Sequence, residues 1–152
     1  YYVGSEDLAS YLVVTPEGNI LINANLDSSP PQVRASVEKL GFRWADTRIL
    51  LNSQAHSDHV GGAAMIVRET QARNLVMDSD VSVVETGGQA DFTAPSPPTK
   101  SLFTPARVDG ILHDGDTVSL GGITLTAHKT AEHTRGTTTW TMGSHLPGEP
   151  AT

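Results

Sequence analysis

The chain has 152 residues, 38% of them hydrophobic, and a formal net charge of −7, which fits one domain with a buried core and not a disordered polypeptide. No basic cluster is present to neutralise a run of phosphates, so nucleic acid is not an expected partner. No apolar stretch approaches the length of a bilayer span, so no membrane partner is expected either. Cysteine is absent, which excludes disulfides and thiolate metal sites.

In chain order, residues 10–15 and 19–23 read as strands around Pro16-Glu17-Gly18, a hairpin signal. Ser29-Pro30-Pro31-Gln32 reads as a helix start, with serine as cap, proline in the first turn and Gln32 completing a capping box. Val33, Val37 and Leu40 then share one face, and Gly41 ends the helix. Residues 47–52 form a short buried strand. A second helix is predicted over 62–70, a strand at Leu75-Val76-Met77, and a short helix over 80–86 closed by Gly87-Gly88. Residues 94–105 are rich in Pro, Ser and Thr and read as a surface loop. Further strands are predicted at 118–120, 123–127 and 137–142. This order is an α/β pattern with a mixed sheet.

Chemistry concentrates in Gln54-Ala55-His56-Ser57-Asp58-His59, which places four potential metal ligands in six residues between a strand and Gly61-Gly62. Imidazole and carboxylate are the donors that a divalent metal such as zinc takes in an open, catalytic site. The C-terminal edge of a strand is where α/β sheets carry their chemistry. A polar loop with two surface histidines is the plainer alternative. Of the other histidines, His113 reads as a turn residue, His128 as a surface residue and His145 as part of an unstructured tail. Asp114 and Asp116 lack the remaining ligands of a calcium loop.

The motif Q-A-H-S-D-H resembles the H-x-H-x-D-H of the metallo-β-lactamase fold, and within it the subclass B3 enzymes, some of which also carry Gln at the first position. The likeness continues elsewhere. Tyr1-Tyr2-Val3-Gly4 resembles the family's early strand, Leu21-Ile22-Asn23 its second hairpin strand, and the segment from Asp114 to Gly122 a family hairpin. Gly87-Gly88-Gln89-Ala90-Asp91-Phe92 is similar to a loop at the active-site mouth. Ala131-Glu132-His133-Thr134-Arg135-Gly136 falls where the family has T-P-G-H-T-x-G. Ala131 and Glu132 depart from that pattern, while Thr134, Gly136 and Trp140 keep its register.

The resemblance implies the N-terminal half and the start of the second half of an αβ/βα sandwich, as one truncated domain over 1–152. It implies that Gln54, His56 and His133 hold one zinc and Asp58 and His59 a second, so one or two Zn2+ ions in all. Gln54 is either a ligand or a side chain that has left the coordination shell. Asp58 would also orient the nucleophile, a metal-bound hydroxide that opens the β-lactam ring of an antibiotic. The family's last histidine ligand and its substrate-carboxylate groups would lie beyond this chain. An uncovered apolar sheet face would then favour a homodimer or a complementing C-terminal fragment. No leader is read at the start of the chain, and the family implies a periplasmic or secreted protein conferring antibiotic resistance. A thioester or lactone hydrolase, or a non-catalytic metal-binding fragment, are the alternatives on the same fold.

Overall fold

The computed structural model describes residues 1–95 and 100–143. Strands β1 (Tyr11–Thr15) and β2 (Gly18–Ile22) form the expected antiparallel hairpin, pairing Tyr11 with Ile22 and Thr15 with Gly18. Helix α1 (Pro30–Lys39) returns the chain to β3 (Thr47–Leu51), which lies parallel to β2. A one-turn helix α2 (Ser57–Val60) and helix α3 (Ala63–Thr70) lead to β4 (Arg73–Met77), parallel to β3. Helix α4 (Val81–Glu85) precedes β5 (Gly110–Leu112), parallel to β4. These five strands form one mixed sheet in sequential order. Strands β6 (Thr117–Leu120), β7 (Ile123–Lys129) and β8 (Thr138–Met142) form a second, antiparallel sheet.

The strand sequences explain the layering. Ile20-Leu21, Ile49-Leu50 and Leu75-Val76 are neighbours along a strand, so their side chains leave on opposite faces of the sheet. Both faces are buried, which is why these strands read as continuous apolar runs. Leu12, Leu21, Leu50 and Val76 pack under Val33, Val37, Ile66, Val83 and Val84 of the helices. Ile20, Ile49, Leu51, Leu75 and Leu112 pack against Val118 and Leu125 of the second sheet. The result is helices, a five-stranded sheet and a three-stranded sheet in successive layers. Each fully buried Leu, Ile or Val adds about 1.5–3 kcal/mol relative to exposure.

Several expectations need correction. The early strand is short: Tyr1 and Leu12 exchange backbone hydrogen bonds at 2.8 Å and Val3 N donates to Ser10 O at 2.9 Å around the Tyr2–Tyr11 bridge, before the turn over 5–8 reverses the chain. The capping box does not form. Ser29 already has helical backbone angles, its Oγ accepts from Leu26 N at 3.2 Å, and Gln32 Nε2 donates to Gly4 O and Ser36 Oγ. Leu40 is 43% exposed, since the helix stops at Lys39 and Phe42 turns back onto the core instead. The segment after His56 is helical where a loop was expected, and β5 was not anticipated: three residues opening with glycine carry no periodicity.

The outer face of the second sheet differs most from expectation. It presents Thr117, Ser119, Thr124, Thr126, His128, Thr139 and Thr141, as the strand register dictates. The uncovered face is therefore hydroxyl-rich and not apolar; Ser119 Oγ pairs with Thr124 Oγ1 at 2.8 Å and His128 Nε2 with Thr141 Oγ1 at 2.8 Å. His145 lies outside the described residues. Among the described residues, no helix is long and apolar enough to cross a membrane.

Candidate metal centre

The end of β3 delivers the ligand cluster. From Leu51 the chain passes through Asn52, Ser53, Gln54 and the buried Ala55 to His56, whose extended backbone (φ −80, ψ 160) starts α2. His59 N and Val60 N donate to His56 O at 2.9 and 3.0 Å, closing the turn that carries Asp58 and His59. His59 O in turn accepts from Ala24 N and Asn25 N just after β2, so α2 is clamped to the sheet edge.

The loop between β7 and β8 brings His133 to the same edge. Thr138 N donates to Ser53 O at 2.7 Å and Trp140 Nε1 to Asn52 O at 2.9 Å, stitching β8 to the end of β3. Buried Asp80 holds the loop from the other side, accepting from Thr134 Oγ1 at 2.7 Å and Gly136 N at 2.8 Å. Gly136 is required there, since a Cβ would stand 2.5 Å from Asp80 Cγ. Burial pushes the Asp80 carboxyl above its ordinary range, against the opposing bonds from Thr134 and Gly136.

His56 and His133 meet across 77 residues, with Nδ1 of the first 3.0 Å from Nε2 of the second and ring planes 77° apart. Asp58 Oδ2 and His59 Nε2 lie 3.4 Å apart. Gln54 is buried, and its Oε1 accepts from His56 N at 3.2 Å. The amide oxygen is thus turned onto the backbone beside the pair. Among the described residues no three His, Cys, Asp or Glu side chains are grouped to hold a metal.

Hydrogen bonds also anchor the ring of His59. Ser53 N is a donor and meets Asn23 Oδ1 at 2.9 Å, which orients that amide; Asn23 Nδ2 donates to Ala9 O. Ser53 Oγ stands 3.0 Å from the same oxygen and 3.0 Å from His59 Nδ1, so it links the amide to the ring. Nε2 of His59 faces the Asp58 carboxylate at 3.4 Å. Burial lowers the pKa of His59, while Asp58 opposes that shift and His133 and His56 add to it.

A cavity of about 300 Å³ opens beside these groups, walled by His56, Asp58, Asp91, Leu102 and Phe103. Asp91 was not picked out as a site residue in its own right, and neither were Asp80, Ser53 or Asn23. Each carries no local signal of its role, because its partners lie far off in the chain or depend on how the chain closes. His113 and His128 are exposed and remote from the cluster, His113 in the turn before β6 and His128 on the outer face of the second sheet.

Residues 8–145 match the family described as the metallo-beta-lactamase superfamily. Among solved structures, the native FEZ-1 metallo-beta-lactamase from Legionella gormanii is 54% identical, with a TM-score of 0.88, over 93% of this chain and 54% of that one. GOB-18 from Elizabethkingia meningoseptica is 41% identical, with a TM-score of 0.92, over 98% of this chain and 54% of that one. The class B3 di-zinc enzyme LRA-12 from an Alaskan soil metagenome is 36% identical, with a TM-score of 0.92, over 98% and 56% respectively. The chain thus spans about half the length of these enzymes. With this extent of match in sequence and in structure, the chain belongs to the metallo-beta-lactamase superfamily, among neighbours of the B3 class.

Proposed function

We propose that this chain is one domain carrying the zinc-binding part of a B3-type β-lactamase, acting on β-lactam antibiotics in the periplasm or outside the cell. The observation that carries the reading is the approach of His56 Nδ1 and His133 Nε2 to 3.0 Å at the C-terminal edge of β3. Two nitrogens bound to one tetrahedral zinc at about 2.0–2.1 Å stand roughly 3.3 Å apart, so the pair fits such an ion after a small opening. The Gln54 oxygen beside them has a second lone pair free for the same ion. Asp58 and His59 fit a second ion on the same reasoning, since Oδ2 and Nε2 stand 3.4 Å apart, the spacing of two donors on one small cation.

Zinc, when bound, supplies a water of pKa about 7 and a polarising charge for a carbonyl oxygen. The chain's own groups do the rest. Asp58 Oδ2 takes the hydrogen bond of the attacking water and aims it at the lactam carbonyl. The Ser53–Asn23 pair anchors the His59 ring at Nδ1 and leaves Nε2 directed toward Asp58. Leu102 and Phe103 line the cavity and shield one side of the substrate from solvent.

Hydrolysis of a chromogenic β-lactam by the zinc-loaded chain, measured with and without chelator, tests this reading. Turnover should fall to background with chelator and in His56→Ala, whose zinc uptake should also fall. Full turnover in His56→Ala would refute the assignment. Turnover of a thioester or lactone without lactam turnover would favour another hydrolase on this fold. Zinc uptake with neither activity would favour a non-catalytic fragment, and the mass in solution would reveal a dimer or a need for a complementing segment.

A further inference from the structure

His56 has a second nitrogen, and its surroundings are unusual. Nε2 is buried without a hydrogen bond of good geometry. A carboxylate oxygen, Asp91 Oδ2, stands 3.4 Å from it, and the Asp91 side chain is only 5% exposed. An ionised carboxylate is acceptor-only, whereas a neutral imidazole has one N–H and one lone pair. A lone pair on Nε2 would face the carboxylate repulsively, while an N–H there is attracted to it. We propose that Asp91 is a positioning residue for His56, holding its proton on Nε2 and leaving the Nδ1 lone pair directed toward His133.

The build of the loop supports a dedicated role. Gly87 and Gly88 have φ of +63 and +92, conformations that turn the chain sharply out of α4. Asp91 N then donates to Gly88 O at 3.2 Å. Asp91 Oδ1 accepts from Thr93 N at 2.7 Å and from Thr93 Oγ1, which fixes the carboxylate and leaves Oδ2 for the histidine. The next residue, Phe92, lies under the Arg135 guanidinium at 5.5 Å, so the Asp91 corner is latched to the loop that carries His133. At 3.4 Å the contact is longer than an ordinary hydrogen bond. It should shorten when Nδ1 binds a cation, because electron withdrawal makes Nε2–H a stronger donor. Carboxylate–histidine pairs of this kind orient ligands and raise their basicity.

The inference rests on the zinc reading above, but two measurements on the 152-residue chain separate them. Two-bond 1H–15N spectra of the metal-free protein report the tautomer of His56 directly, and Nε2–H is expected. Zinc affinity, from competition with a chromogenic chelator, should fall about 10–100-fold in Asp91→Ala. Asp91→Asn is the sharper variant. Thr93 keeps the amide oxygen, so the amide hydrogens face His56, reverse its tautomer and weaken zinc about as much, with the fold retained. A purely structural Asp91 would leave Asp91→Asn with wild-type affinity, and that result overturns the proposal. So does an Nδ1–H tautomer in the wild type, which decides the matter even if a variant fails to fold. Absence of zinc uptake by the wild type would instead refute the metal reading, and the tautomer spectrum would still judge Asp91.

Discussion

Asp80 and Gly136 form one joint of the site, with little room for change. Removing the carboxylate in Asp80→Ala leaves the Thr134 hydroxyl and the Gly136 N–H without their acceptor. Stranding such donors costs about 1–3 kcal/mol. Gly136→Ala should cost about 1–3 kcal/mol by overpacking, since the new methyl meets Asp80 at 2.5 Å from Cγ and 2.8 Å from Cβ. The two are in contact, so their effects should not add. Urea denaturation should show the double variant less destabilised than the sum, because Asp80→Ala removes the Cγ and Oδ1 contacts and leaves only the one to Cβ. Equal additivity would mean the two residues do not share one joint.

Among the elements, two leucines both expected to face the core end in different places. Leu21 lies in β2 with both sheet faces covered and is fully buried, whereas Leu40 follows the last turn of α1 and is 43% exposed. Leu21→Ala should therefore cost about 2–5 kcal/mol, and Leu40→Ala within about 0.5 kcal/mol, measured by the same denaturation. The strands were legible because a sheet buried on both faces needs unbroken apolar runs, as at Ile49-Leu50-Leu51. The Pro16-Glu17-Gly18 turn and the Gly87-Gly88 stop were legible from local backbone chemistry. β5 and the Ser29 cap were not, because a three-residue strand exists only through pairing with β4, and Ser29 takes a competing partner at Leu26.

At the scale of the whole molecule, acid should act on the fold through His59. Its folded pKa lies below the ordinary 6.5 because burial disfavours the charged ring. Above 6.5 the ring is neutral in both states. Between 6.5 and the lowered folded value the unfolded chain binds more protons, so stability falls as pH falls through that window. Denaturation of the metal-free chain between pH 8 and pH 5 should show this loss, and His59→Gln should flatten it. Asp78 adds a loss at lower pH, its carboxyl being held below the usual range by Lys129. Asp80 has the opposite sign: its raised pKa makes stability fall as pH rises past the ordinary carboxylate range. An unflattened profile in His59→Gln would place the acid sensitivity elsewhere.

Sequence alone determined the apolar strands, the turn glycines and the grouping of Gln54, His56, Asp58 and His59, since these depend on neighbours a few residues away. The grouping of His133 with His56 came only from the family resemblance; tertiary structure brings their nitrogens to 3.0 Å, sets Asp80 and Asp91 on the two sides of that meeting and lines the outer face of the second sheet with hydroxyls. Those outcomes come from hydrogen bonds that join strands distant in the chain, such as Thr138 to Ser53 and Trp140 to Asn52. No local pattern encodes the partner of a lone polar residue, because that partner is chosen only when the sheets close on each other.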